Sequence, residues 1–247
     1  MKKHILILGS TGFLGSNLIR KLSLNNKYKI TGIGSKEINL SKKDQYHKLI
    51  DLYEPSSTII FLSAVKRNLG DNSETYYMNT QIGLSISKSL EKKSVENLIY
   101  LSSCAVYGEK NMQNRFTESS KINPTSFYGA SKVSNESLMQ LMKNENQIKN
   151  LNILRPTTIY GDVNLPTYCP SGFVGRALKN NKIEIWGNGK EKRDFFSINN
   201  FVQVLEFLID NPMNSKINLV TGKSVSFLDL LSCISKYVDN LEIVNKI

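Results

Sequence analysis

The chain has 247 residues, 40% of them hydrophobic and 21% charged, enough apolar material for a well-cored domain and too much for a disordered chain. Lys and Arg number 32 against 21 Asp and Glu, a net charge of +11. The lysines are scattered rather than gathered in a stripe, and no aromatic spacing suggests a base-stacking platform, so no nucleic-acid partner is expected. No apolar run reaches the roughly 20 residues of a membrane span, and the stretch after Lys2 and Lys3 stops at Leu8, too short for a secretory signal. Cys104, Cys169 and Cys233 are too far apart for a CxxC site or a disulfide framework. Neither His4 nor His47 lies at metal-ligand spacing from an acidic or thiol neighbour. A cytoplasmic protein without a metal is expected, and any acid–base chemistry must use groups other than histidine.

In chain order, short apolar runs at His4–Leu8, Lys29–Ile33, Thr58–Leu62, Asn97–Leu101 and Leu151–Leu154 predict strands. Helix-like apolar spacing falls between them at Phe13–Leu24, Lys42–Leu52, Thr75–Leu90 and Phe127–Met142. Strands alternating with helices predict a Rossmann-type α/β fold, a doubly wound parallel sheet covered on both faces. After Gly161 the pattern loosens: Pro166, Pro170 and Gly172 read as a loop and Trp186–Lys192 as a turn-rich connector. Arg193–Ser197, helix-like Phe201–Asp210, Ile217–Val220 and helix-like Phe227–Tyr237 follow. The expected division is a dinucleotide-binding domain over 1–161 and a small substrate lobe over 162–247, interleaved with the sheet rather than independently folding.

The first predicted strand runs straight into GSTGFLG, with Gly9, Gly12 and Gly15 spaced by three before an amphipathic helix. Gly9 allows the tight turn, Gly12 a close approach of backbone to a pyrophosphate, and Gly15 close packing of the helix. The helix N-terminus offers its N–H groups and positive dipole end to phosphate. After the second strand stand Gly34, Ser35 and Lys36, where a carboxylate would bind the ribose hydroxyls of NAD. This favours NADP(H) over NAD(H), with Lys36 toward a 2′-phosphate; a cradle for NAD made by Ser35 and backbone groups is the alternative.

Tyr128 and Lys132 in YGASK are four apart and share a helix face. An ammonium beside a phenol favours phenolate, and the lysine can also hold the cofactor ribose. The fourth predicted strand ends in Ser102 and Ser103, at the sheet edge that faces a ligand crevice in such folds.

Together these motifs resemble the extended short-chain dehydrogenase/reductases, the NAD(P)-dependent epimerase/dehydratase family that modifies nucleotide sugars. The resemblance extends through FLSA (Phe61–Ala64), YYMNTQIG around Asn79, SSCAVYG, LRPTTIYG (Leu154–Gly161), WGNGKEKRDFFSINN (Trp186–Asn200) and NLVTGKSVSF (Asn218–Phe227). It implies Ser103, Tyr128 and Lys132 as catalytic residues. It implies a cofactor set of Gly9, Thr11, Gly12, Phe13, Leu14, Gly15, Ser35, Lys36, Leu62, Ser63, Ala64, Asn79, Tyr128, Lys132 and Pro156. Substrate contacts fall to Ser103, Cys104, Thr158 and Arg193, the arginine matching one that meets the diphosphate.

Cys104-Ala105 stands where the family's 4,6-dehydratases carry Asp-Glu, which disfavours dehydration. The Ser-Ser-Cys run and the EINL segment (Glu37–Leu40) most resemble GDP-4-keto-6-deoxymannose epimerase/reductases, with UDP-sugar 4-epimerases the other near match, but the histidine that works with that cysteine has no counterpart near Gly172. Cys104 is then an acid–base group or a small buried residue. The expected activity is reduction or epimerisation at carbon 4 of a nucleotide-linked sugar, in surface-polysaccharide sugar synthesis, by a homodimer. The alternative is a catalytically silent dinucleotide-sensing protein of the same fold. Family members continue for several dozen residues more, so either the substrate lobe is reduced or the chain is truncated.

Overall fold

The computed structural model describes residues 2–67, 70–108, 115–161 and 170–246. Ile5, Leu6, Ile7 and Leu8 are all buried in β1 (Lys3–Leu8), as in a strand covered on both faces. β2 (Tyr28–Ile33), β3 (Thr58–Phe61), β4 (Val95–Leu101), β5 (Ile148–Pro156) and β9 (Ser215–Leu219) complete a six-stranded sheet in the order β2-β1-β3-β4-β5-β9. The β1–β2, β1–β3, β3–β4 and β4–β5 pairings are parallel. The chain leaves β1 for β2 on one side and returns to β3 on the other, so the strand order reverses at β1 and β3. A crevice opens beyond the carboxyl ends of two such strands.

The connecting helices are α1 (Phe13–Leu22), α2 (His47–Ile50), α3 (Ser73–Lys92) and α4 (Phe127–Asn144). α3 starts at a reciprocal cap in which the Asn72 side chain accepts the Thr75 N–H and the Thr75 hydroxyl accepts the Asn72 N–H. It lies close to α4 at Gly83, where a Cβ would stand 2.1 Å from Asn135 Oδ1. The helix expected over Lys42–Leu52 is reduced to the single turn of α2, because Asp44 adopts φ +61°, a left-handed value that ends helix propagation.

The remaining elements are β6 (Thr158–Tyr160), α5 (Ser171–Asn180), β7 (Lys182–Trp186), β8 (Lys192–Ser197), α6 (Ile198–Asp210), β10 (Ser224–Ser226), α7 (Phe227–Ile234) and β11 (Glu242–Lys246). Where a loop was expected, α5 begins directly after Pro170 and carries Gly172 in its first turn. Proline at a helix start forfeits no intrahelical bond, so it opens this helix rather than breaking one. Pro166 lies outside the described residues.

Two compact units result: residues 1–156 with 202–218, and residues 157–201 with 219–247. The single boundary expected after residue 161 assigns Val202–Asn218 to the second lobe. The structure returns that segment to the first unit, where Asn214 Oδ1 accepts the Leu151 N–H at 2.9 Å and Ser215 Oγ donates to Asn152 Oδ1 at 2.6 Å. The first unit's core includes Leu6, Phe61, Ile86, Leu98 and Met139. The second unit holds a three-stranded sheet, β10-β8-β6, and the parallel pair β11-β7, over a core of Phe173, Ala177, Ile183, Ile185, Leu231 and Ile234. No described helix is long and apolar enough to cross a membrane.

Candidate active site

Gly9 leaves β1 at φ +94°, its N–H donating to Ile33 O at 2.8 Å, and a Cβ there would stand 2.9 Å from Ser63 N. Gly15 sits on the turn itself: a Cβ would lie 2.3 Å from Gly9 O. Gly12 differs from both. Its φ is an ordinary −76°, and the nearest described atom to a Cβ would be Gly9 O at 3.4 Å. Nothing in the fold itself requires glycine at position 12. Gly12 is the N-cap of α1, with no side-chain cap and no acidic residue in the first turn, so the N–H groups around Phe13, Leu14 and Gly15 are left to an anion. A dinucleotide pyrophosphate fits this cradle.

The end of β2 corrects the expectation that no carboxylate stands there. The chain after Gly34 closes a tight turn, Ile38 N–H to Gly34 O at 3.0 Å, and brings Glu37 back over the strand end. Glu37 Oε2 accepts the Gly34 N–H at 2.9 Å. A Cβ on Gly34 would meet both Thr11 Oγ1 at 2.8 Å and Glu37 Oε2 at 2.9 Å, so this acid borders the glycine turn. Ser35 and Lys36 are exposed beside it. The part of the case for NADP(H) that rested on the absence of an acid no longer holds, while Lys36 stays exposed beside the strand end.

After β3, Leu62 N–H donates to Leu8 O at 2.9 Å, and Leu62, Ser63 and Ala64 are half-buried beside the glycine turn. Asn79, 2% exposed on α3, fixes this loop by accepting the Val65 N–H at 2.7 Å and donating to Val65 O at 3.2 Å. Asn135 of α4 donates to Asn79 O at 3.1 Å, which ties the loop to the helix bearing Tyr128 and Lys132.

Ser103 caps the 3-10 turn Cys104–Tyr107, its Oγ accepting the Ala105 N–H at 3.1 Å. α4 rests on this turn: a Cβ on Gly129 would lie 2.6 Å from Ala105 O, which explains the glycine in YGASK. Ser126 Oγ caps the helix through the Gly129 N–H, and Asp71 Oδ1 accepts the Tyr128 N–H at 3.0 Å. Lys132, 3% exposed, donates from Nζ to Leu101 O at 2.7 Å. Its Nζ stands 5.2 Å from the Tyr100 ring centroid and 5.5 Å from that of Tyr128. Burial holds the ammonium down to about 7, with the Glu136 carboxylate pulling it up. Ser103, Tyr128 and Lys132 thus gather around the carboxyl end of β4, with an amine that burial brings close to neutrality beside the phenol.

Cys104 Sγ donates to Arg155 O at 3.2 Å and is half-buried. Pro156 ends β5, buried. Thr158 and Arg193 belong to the second unit, Thr158 pairing with Phe195 and Arg193 with Val225. Arg193 Nη1 donates to Lys192 O at 3.1 Å and its Nη2 lies 3.7 Å from Glu191. The next residue, Asp194, closes the Thr221–Gly222 turn through both N–H groups and the Thr221 hydroxyl. His4 is held between the Ser57 and Thr31 hydroxyls, and no cluster of acids, cysteines and histidines able to hold a metal occurs among the described residues. Asp71, Glu136 and Arg155 escaped the sequence reading as site residues. Ser102 was read only as a strand-end hydroxyl, and Glu37 only as part of the EINL segment, an acid within four residues of the second strand.

The model of the NAD dependent epimerase/dehydratase family matches residues 5–220. The uncharacterized UDP-glucose epimerase YtcB of Bacillus subtilis is 26% identical over 93% of this chain and 80% of its own length. The UDP-glucose 4-epimerase of Vibrio cholerae is 26% identical over 94% of this chain and 74% of its own. The crystal structure of UDP-glucuronic acid 4-epimerase from Bacillus cereus, in complex with UDP-glucuronic acid and NAD, superposes with a TM-score of 0.82. It is 23% identical and covers 98% of this chain and 85% of that one.

Proposed function

The chain belongs to the NAD-dependent epimerase/dehydratase family of nucleotide-sugar enzymes, and from that membership we propose that it is a 4-epimerase of a UDP-linked hexose that uses NAD. The observation that carries the reading is the grouping of Ser103, Tyr128 and buried Lys132 at the carboxyl end of β4, beside a phosphate cradle at Gly12. NAD, when bound, supplies the acceptor and donor of hydride. Gly12 and the first turn of α1 hold its pyrophosphate, and Lys132 holds its ribose. Tyr128 Oη takes the proton of the sugar's C4 hydroxyl and returns it after the ring has turned. Ser103 Oγ donates a hydrogen bond to that same oxygen throughout. Cys104-Ala105 stands where the family's 4,6-dehydratases carry Asp-Glu, and the Cys104 thiol donates to a backbone carbonyl. The simple oxidise, rotate and reduce cycle suits this set better than a dehydratase.

Incubation with UDP-galactose and NAD should yield UDP-glucose without net reduction of NAD. Accumulation of a reduced dinucleotide, or no conversion of any UDP-hexose by the folded protein, overturns the reading. Glu37 supports NAD over NADP, because its carboxylate suits ribose hydroxyls and repels a 2′-phosphate. Calorimetric titration should show NAD binding at least tenfold tighter, about 1.4 kcal/mol, with Glu37→Ala narrowing the gap. Equal affinities for the two dinucleotides reject that assignment. The exposed Tyr77 and Leu84 on α3 and Leu141 on α4 support the homodimer, which sedimentation equilibrium decides.

A further inference from the structure

Behind the reacting groups lies a closed polar network that the proton transfers above do not use. Glu136 and Arg155 are 7% and 3% exposed. Arg155 Nε donates to Glu136 Oε1 at 2.9 Å and Nη2 to Oε2 at 2.6 Å, a two-pronged pair that holds the guanidinium firmly protonated. Ser102 Oγ donates to the same Oε1 at 2.5 Å. On the other side, Arg155 Nη1 donates to the Tyr107 hydroxyl at 2.8 Å, and that hydroxyl donates to Asn218 Oδ1 at 2.8 Å. The Cys104 thiol donates to the Arg155 carbonyl.

Ser102 and Tyr107 are the residues that flank the Ser103–Val106 segment, so both ends of the Ser103 turn hang on one ion pair. Glu136 stands one helical turn after Lys132 on α4, on the same face. The pair therefore joins three elements: the turn with Ser103, the helix with Tyr128 and Lys132, and β5. A buried ion pair is a poor source of net stability, since desolvating two charges consumes most of their attraction. It does hold a geometry well, because neither group can leave without stranding the other.

We propose that the Glu136–Arg155 pair is a positioning device, setting the Ser103 hydroxyl against the Tyr128 phenol so that both reach one substrate oxygen. This rests on the epimerase reading for its catalytic part, while the mechanical part stands on the network alone. Glu136→Gln keeps the shape but removes the charge that the guanidinium and Ser102 share. The expected result is a loss of about tenfold or more in kcat for UDP-galactose, with KM and the Kd for NAD within about twofold. Hydrogen exchange at the amides of 104–108 should quicken about tenfold, with β1 and α1 unchanged.

Glu136→Leu/Arg155→Met, an apolar replacement that strands no charge, serves where the single variant does not fold. It should bind NAD and melt cooperatively, yet show the same loss in kcat. Wild-type kcat in either folded variant, a loss confined to KM, or unchanged exchange in the turn overturns the inference. A wild type that converts no nucleotide sugar defeats the epimerase reading instead, and the exchange rates alone then decide the brace.

Discussion

Lys132 shows what a single buried cation costs and does. Its ammonium has one carbonyl acceptor, two aromatic rings and Glu136 around it, and burial holds it down to about 7. A lysine depressed in the folded state contributes stability only when neutral there: the contribution is complete above the unfolded value near 10.4 and is lost as pH falls to about 7. Lys132→Met removes that dependence. Its unfolding free energy relative to wild type should be more favourable at pH 6 than at pH 9, by about 2–3 kcal/mol. Denaturant titrations at the two pH values measure this, and a difference of the opposite sign would mean that the ammonium is satisfied as it stands. Tyr128→Phe leaves this balance in place and removes only the proton-transfer hydroxyl. It should lower turnover roughly a hundredfold or more while NAD titrates as in wild type; turnover near wild type removes Tyr128 from the mechanism.

At the scale of elements, the three glycines of the first turn separate fold from ligand. Gly15→Ala drives a methyl into Gly9 O at 2.3 Å, a backbone atom that cannot step aside, and should cost about 1–3 kcal/mol in chemical denaturation. Gly12→Ala meets nothing closer than 3.4 Å, so its melting should stay near wild type while NAD affinity falls. A Gly12→Ala protein that binds NAD normally would empty the cradle argument. The same physics explains what could be read in advance. Strands β1, β3 and β4 were legible because both faces are buried and their apolar runs are unbroken. The order of motifs at Gly9–Gly15, Ser103 and Tyr128–Lys132 marked the site, since helical spacing and strand ends locate such residues without tertiary knowledge. α5 was hidden by Pro170 and Gly172, whose breaker reading depends on whether they fall before or inside a helix. Glu37 was hidden because a turn returns it to a strand end that it does not adjoin in sequence. The Glu136–Arg155 pair was invisible for the same reason at longer range: nothing local links residues on α4 and β5.

For the whole molecule, the decisive feature is that the first unit is discontinuous. A chain cut after residue 161 keeps all the sequence motifs of the dinucleotide fold but lacks 202–218. That segment brings Val202, Leu205, Leu208 and Ile209 into the first unit, each no more than 4% exposed, at the i, i+3 and i, i+4 spacings of one helix face. At roughly 1.5–3 kcal/mol per fully buried side chain they supply about 6–12 kcal/mol, comparable with the whole stability of an ordinary domain. Its loss also strips β5 of its neighbour β9, leaving an open apolar edge, and takes away the Asn214 and Asn218 acceptors of Leu151 N–H and the Tyr107 hydroxyl. The Tyr107 bond ends the network that holds the Ser103 turn, so the cut reaches the site as well as the core. Residues 1–161 expressed alone should therefore show no cooperative thermal transition and no calorimetric signal with NAD, while the full chain shows both. A fragment that melts sharply and binds NAD with the affinity of the full chain would place the boundary at residue 161 after all and reduce α6 and β9 to an addition.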